Sequence, residues 1–435
     1  MTATKDRSQA FAASLIPESH GERAVTGYVL GFVAAVAFLL LIPAGWARLD
    51  HLWAEDGARF AVDAIRFPAL RNLTDPYGGY LHVLPRLAAE AVALLPLEWT
   101  AAGFAVAAAV LRAVVALITF AASGAYLRSA GLRFVLAALV VVLPAGNSET
   151  LNNMTNLHWF LLYGVFWALV WRTAPRVPVA LFVLLAALSS PLIFLLAPVA
   201  LVRLLVPRRE VPIAFLAGVL TQAVVMLFAE RTPYSQDPAD PVQVVLAGLL
   251  RVPVVALTGS ERLTTFYPAH GNLVVLGAVL VTGLPVLAAL WWGGRAGRAL
   301  ALAATGYSVL VIVLCLVLNW SVLLQVQQPG VVLAGQRYSV APVLFLSTAV
   351  AVGLDATPFA TWQRFAVRAG QWVMGILLVS STVGYFQEPR TVLRGVPWGA
   401  SVEQGRARCA SGAAEARLEH EPASWFFVVP CGQLK

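Results

Sequence analysis

From Val25 to Ala47 the chain runs without a single charge, and apolar runs of the same kind recur as far as residue 386. About 20 apolar residues in a helix span the hydrocarbon core of a bilayer, where every backbone polar group must find its partner inside the segment. The whole chain shares this character: mean hydropathy is +0.77 over 435 residues, 59% of them hydrophobic and only 12% charged. These runs predict an all-α polytopic membrane protein with about eleven transmembrane helices, near 25–47, 100–125, 133–146, 159–172, 177–189, 192–206, 211–229, 272–292, 299–320, 339–354 and 368–386. Several are short and Pro-broken, as at SSP (189–191), which predicts helices that stop partway and turn inside protein. The 177–206 region reads as one span or two.

The formal charge of +8 falls mostly at helix ends, where basic residues determine topology rather than bind nucleic acid. An inside N-terminus gathers Lys5, Arg7 and Arg23, Arg128 and Arg133, Arg172 and Arg176, Arg203, Arg208 and Arg209, Arg295 and Arg298, and Arg364 and Arg368 on the inner side, while the short outer connection 147–158 holds no basic residue but His158. The first run is too long for a signal-peptide core and no cleavage site follows it, so it reads as an uncleaved span. Three regions result: a cytoplasmic segment 1–24, a transmembrane domain 25–386 and an extracytoplasmic tail 387–435. The localisation expected is the inner (plasma) membrane. Cys315 lies in an apolar run and reads as a packing residue. Cys409 and Cys431 bracket the tail, and on the outer side they are expected to form a disulfide.

Three outer segments carry the polar chemistry. The first loop, 48–99, contains HLWAEDG and then TDPYGGYLHVLPRLAAE, whose second half reads as an interfacial amphipathic helix. The second is NSETLNNMTNLHW, 147–159. The third, 230–271, holds PYSQDPADP, SERLTTFYPAH and an apolar stretch, VQVVLAGLLRVPVVAL, that reads as re-entrant. Ionisable residues at membrane depth are costly, and so are functional candidates by default. Glu55 and Asp56 cannot point the same way on a regular backbone: one faces a cavity or both cap the helix that follows. His51, Tyr80, Asn156 and His158 suit a sugar, whose hydroxyls need polar partners and whose apolar faces stack on rings, although Asn and His at a helix start also serve as caps. In GQRY, 335–338, Arg337 is the sole arginine of 299–354, and with Tyr338 and Gln325, Gln327, Gln328 and Gln336 it forms a polar outer mouth. Its planar fork suits a phosphate, and snorkelling to a headgroup is the alternative. Arg262 is a weaker candidate of the same kind. No nucleotide-binding, zinc or serine-hydrolase motif occurs, and nothing indicates a metal or other cofactor.

The many spans, the acidic pair of WAEDG in the first outer loop, the interfacial helix after it and the arginine of GQRY resemble the GT-C superfamily of integral-membrane glycosyltransferases. That resemblance implies transfer of a sugar from a polyprenyl-phosphate donor to an extracytoplasmic glycan or lipid acceptor in cell-envelope assembly, at the face of a lipid bilayer. It assigns Asp56 as general base with Glu55 as rival or partner, Arg337 (with Arg262) to the phosphate, and His51, Tyr80, Asn156, His158 and Tyr338 to the substrates. A lipid-linked-oligosaccharide flippase or an O-antigen polymerase or ligase is the alternative reading. A flippase should carry its charges along a central route, whereas here they gather at the outer face.

Overall fold

The computed structural model describes residues 2–18, 25–230, 238–321, 335–357, 361–387 and 393–434. Arg23, residues 231–237 of the third loop, and Gln325, Gln327 and Gln328 lie outside them. The protein is a helical membrane protein. Each expected run contains a helix: Val25–Leu41, Thr100–Ser123, Ala130–Val141, His158–Val170, Arg176–Ala187, Pro191–Leu204, Glu210–Phe228, Asn272–Trp292, Arg295–Leu318, Gln336–Ala356 and Thr361–Gln387. Among the described residues six helices are long and apolar enough to cross a membrane, and one of them, Pro241–Thr258, is the stretch read as re-entrant. The 177–206 region is two helices, parted at Ser189 and Ser190.

Two helices form the centre. His158–Val170 is buried at every position after the first, and Gln336–Ala356 is nearly so. A helix that is apolar all round belongs in an interior. They meet through Tyr163, whose hydroxyl lies 2.8 Å from Thr348 Oγ1, and through Phe166 edge-on to Phe345. Asn272–Trp292 crosses Gln336–Ala356 at Gly353, where an added Cβ would stand 1.7 Å from the Pro285 carbonyl oxygen. Only glycine permits that approach. Arg112, buried midway along Thr100–Ser123, donates to the carbonyls of Val140 (2.6 Å) and Val141 (3.1 Å) and lies over Phe160. It thereby caps the end of Ala130–Val141.

The first loop is packed against Glu210–Phe228, a helix long and apolar enough to cross a membrane. Buried Gln222, on Glu210–Phe228, accepts from Leu81 N–H and donates to Leu81 O, both at 3.1 Å. The break at Ser189 receives the start of the loop's helix Val83–Val92, where Leu84 N–H donates to Ser189 Oγ at 2.8 Å. Irregular backbone is tolerated beside such a helix because protein side chains meet its polar groups. Arg86, fully buried, pairs with Asp63 (3.0 Å) and Asp75 (3.4 Å) and bonds Asn72, while Arg59 pairs with the same two carboxylates. Breaking a buried network of this kind leaves an uncompensated charge, so it rigidifies the loop.

The all-α expectation fails in the tail. Helix Trp398–Ala410 is followed by antiparallel strands β1 (Glu415–His420) and β2 (Trp425–Pro430). The alternation in EARLEH puts Ala416, Leu418 and His420 inward, the strand period of two. The expected disulfide, Cys409–Cys431, joins the helix end to the residue after β2. This small module docks on the first loop: Glu421 N–H donates to Leu52 O, Ala54 N–H to Glu421 O, and Trp398 N–H to Asp50 O.

Candidate active site

The two central helices both begin on the face that carries the first loop and the C-terminal module, so His158 and Arg337 open onto one region. The opposite ends carry a separate set of pairs, Arg128 with Asp355, Arg172 with Glu18 and Arg176 with Glu210. The connection leading into His158 is folded by its own side chains. Gly146, at φ +71°, turns the backbone where a Cβ would meet Val340, and Thr150 Oγ1 donates to its carbonyl. Asn153 and Asn156 both donate to Glu149 O (2.7 and 2.8 Å), and Asn152 donates to Leu39 O (2.6 Å). The amide of Asn156, expected at the sugar, is engaged in shaping this loop, which is the capping role open to asparagine.

That loop is pinned to the first one by Asp56. Its Oδ2 accepts from Met154 N–H (2.9 Å), and its Oδ1 accepts from Thr155 N–H (2.8 Å) and Thr155 Oγ1 (2.6 Å). The side chain is 1% exposed. Burial pushes its carboxyl up to about 7, the three donors pull the other way, and the neighbouring Glu55 adds to the rise. Glu55 has a different setting. It is half-buried, and no hydrogen bond or ion pair engages its side chain among the described residues. Its charge is felt by the hydroxyls of Tyr77 and Tyr80. Ala54, just before it, stands at φ +39°, a conformation that costs a non-glycine residue energy and persists only when the surroundings impose it. The grip of Glu421 on Ala54 N–H, at 2.6 Å, is part of that imposition. The ring of His420 closes over Gly57, so that a Cβ there would lie 3.1 Å from it.

Around Glu55 the loop assembles rings. Tyr80 stacks on His82 at 4.1 Å, with Tyr77 and Phe60 each 5.5 Å from the same imidazole. Burial, helped by repulsion from His158 and Arg86, pulls His82 down to about 3, so it stands neutral. Burial pushes the Tyr80 phenol up to about 12, with Tyr77 and Glu55 adding, so its O–H is retained. His158 lies close enough to His82 to repel its charge, bonds the Thr155 carbonyl through Nδ1 and meets Trp159 at 4.5 Å. Trp159 in turn meets Tyr338 edge-on at 5.6 Å.

Arg337 completes the line. Its Nη1 lies 3.1 Å from Glu149 Oε2, its backbone N–H donates to the same oxygen at 3.2 Å, and its side chain remains 40% exposed. Glu55, Tyr80, His158, Tyr338 and Arg337 therefore share one face. His51 stands beside them in sequence but is turned back to the Ala47 carbonyl at 2.8 Å. Arg262 donates to Ser380 Oγ at 2.6 Å, in a cleft lined by Pro144, Ser260 and Ser381. Glu149, Thr155 and Glu421 were not among the residues expected at the site. Glu149 was visible as the one carboxylate of the 147–158 connection, while Glu421 offered no signal, its role depending on a contact with residues more than 360 positions earlier. Among the described residues no cluster of three or more His, Cys, Asp or Glu is placed to hold a metal.

Among solved structures the chain is similar to the arabinofuranosyltransferase AftD from mycobacteria, with a TM-score of 0.51 and 13% sequence identity. The likeness covers 92% of this chain and 30% of that one, so the chain spans under a third of AftD's length, and what is shared is the fold. No protein-family model and no curated protein matches the sequence.

Proposed function

We propose that this chain is a membrane glycosyltransferase that moves a sugar from a polyprenyl-phosphate-linked donor to a glycan or lipid acceptor at the outer face of the inner membrane, in envelope assembly. The face bearing the first loop and the disulfide-closed module is the outer one. The basic residues of the opposite ends and the oxidising conditions a disulfide requires both support that orientation. The likeness of fold to AftD supports the class of reaction.

The roles of the acidic pair follow from their settings. Asp56, with three donors on it, anchors the first loop to 152–156. Glu55, without a partner, is the general base. An acceptor hydroxyl gives its proton to the Glu55 carboxylate as its oxygen bonds the anomeric carbon, and the bond from that carbon to the phosphate oxygen breaks with its electron pair leaving on polyprenyl phosphate. Arg337 stabilises the charge that departs with the phosphate. Tyr80 and His158 flank the sugar, and Tyr338 supports Arg337 from a ring 5.0 Å beneath its guanidinium. The unengaged carboxylate of Glu55, on the same face as Arg337, carries this reading. The test is transfer by the purified protein in nanodiscs from a panel of radiolabelled polyprenyl-phosphate pentoses and hexoses. Glu55→Gln should reduce turnover by about 10²–10⁴-fold, whereas turnover at the parental rate rules Glu55 out as the base.

A further inference from the structure

A groove of about 580 Å³ runs along the outside of the helical bundle and enters none of the roles above. Its walls come from Val25–Leu41, Thr100–Ser123, Ala130–Val141 and Thr361–Gln387. Small side chains hollow it out: Gly27, Gly31 and Ala34 recur at the helical interval along Val25–Leu41, and Ala116, Ala137 and Ala138 come from the neighbouring helices. Leu30, Val33 and Phe134, at its rim, are more than half exposed, as residues facing lipid are. From Gly27 to Phe38, which line its two ends, Val25–Leu41 advances about 16 Å at about 1.5 Å per residue. That is the depth of one leaflet, half of a hydrocarbon core of about 30 Å.

One end of the groove carries a charge without a counter-charge. Arg133, near the start of Ala130–Val141, lines it with a guanidinium 4.5 Å over the Phe120 ring, which Tyr28 meets edge-on at 6.0 Å. Its Nε is buried without a hydrogen-bond partner, and among the described residues no carboxylate pairs with the guanidinium. The carboxylate that reaches this helix end, Asp355, is occupied: it pairs with Arg128 and accepts from the backbone N–H groups of Arg128 and Ser129. Towards the far end Thr382 donates its hydroxyl to the Leu378 carbonyl at 2.8 Å and offers nothing to a ligand. The charged end, beside Arg128 and Asp355, is the one away from the candidate site.

We propose that this groove seats one anionic phospholipid, with its phosphodiester on the Arg133 guanidinium and an acyl chain running towards Phe38. Charge and length select that occupant together. The planar fork of an arginine between helices takes a lipid phosphate, and the apolar walls beyond it match a chain one leaflet deep. A zwitterionic lipid brings its own cation to compete with Arg133, and a helix of another chain would leave the charge unmet unless it carried a carboxylate. The seated chain lies behind Val25–Leu41, and Leu39, next to Phe38, holds Asn152 through its carbonyl at 2.6 Å. The lipid therefore braces the helix on which the 152–156 loop rests.

Photolabelling tests the seat without reference to catalysis. The full chain is reconstituted in phosphatidylcholine nanodiscs with an equal small fraction of either phosphatidylglycerol or phosphatidylcholine bearing a diazirine midway along one acyl chain, and labelled peptides are mapped by mass spectrometry. In the parent, phosphatidylglycerol should label residues 27–38 and 134–142 at least tenfold more than phosphatidylcholine does. Arg133→Gln should remove that preference, and Arg133→Lys, which keeps the charge but not the fork, should restore part of it. At Gly31 an added Cβ stands 3.8 Å from Leu117, an ordinary contact. Gly31→Leu should therefore fill the groove and cut labelling of these residues by phosphatidylglycerol tenfold, with the unfolding temperature at the parental value or above. Undiminished phosphatidylglycerol labelling in Arg133→Gln or in Gly31→Leu, or equal labelling by the two lipids in the parent, overturns the seat. Cross-linking of residues 27–38 to a second protein chain in the parent overturns it too, since a protein then covers the groove.

Discussion

Asparagine at position 56 should damage the architecture of the site, and glutamine at position 55 should damage only its chemistry. Three donors rest on the Asp56 carboxylate: Met154 N–H on Oδ2, and Thr155 N–H and Oγ1 on Oδ1. An asparagine can keep its carbonyl oxygen towards Thr155, but its amide then presents hydrogens to Met154 N–H. A buried N–H left without an acceptor costs about 1–3 kcal/mol, and no water is at hand at a side chain 1% exposed. Asp56→Asn should therefore lower thermal stability in detergent, expose the 152–156 segment to amide exchange, and reduce transfer in proportion to the displaced loop. Glu55→Gln removes no hydrogen bond seen here, so stability and exchange should match the parent while turnover falls. The reasoning is refuted if Asp56→Asn leaves exchange at 152–156 unchanged, or if Glu55→Gln destabilises the protein as much as Asp56→Asn does.

The raised pKa of Asp56 has a signed consequence. A carboxyl that titrates at about 7 when folded, above its ordinary 3.8, stabilises the fold below pH 4, and that contribution is lost as pH rises through 7. The stability deficit of Asp56→Asn should accordingly be largest below pH 4 and shrink as pH rises to about 7, and a deficit that grows with pH contradicts the assignment. Gly353→Ala should force Asn272–Trp292 away from Gln336–Ala356, since its Cβ would meet backbone at 1.7 Å; a loss of about 1–3 kcal/mol should appear as a lower unfolding temperature. The double substitution Cys409→Ser/Cys431→Ser removes a link across 22 residues, worth about 3 kcal/mol in chain entropy. It should slow transfer, through the lost grip of Glu421 on Ala54, with donor affinity unchanged; parental turnover would show that the module does not position the acidic pair.

Much of the helical layout was legible because apolar runs are long and local. The eleven expected runs fall on helices, and even the parting at Ser189 and Ser190 was announced by SSP. Pro241–Thr258 was legible in kind but not in extent, for Arg251 and Pro253 interrupt the run that marks a span. The hairpin of the tail was present as an alternation in EARLEH, yet six residues of period two are a weak signal beside so many helices. WAEDG and GQRY drew notice in the sequence, and each carries a residue of the candidate site, Glu55 and Arg337. The different settings of Glu55 and Asp56 were not readable, because that of Asp56 is set by backbone donors at Met154 and Thr155, about a hundred positions along the chain. Asn156 left both readings open, sugar contact and cap, and its amide donates to the Glu149 carbonyl beside that of Asn153, while Asn152 donates to Leu39 O.

One structure tests the shared face directly: the full chain in nanodiscs, determined by electron microscopy with a non-hydrolysable lipid-phosphate sugar bound. The phosphate should lie against Arg337 and the sugar between Tyr80 and His158, with the Glu55 carboxylate facing the side from which an acceptor hydroxyl would come within about 2.6–3.2 Å of it. The sugar-bearing headgroup bound at the opposite face, beside Arg128 and Asp355, or a sugar turned away from Glu55 would contradict that arrangement.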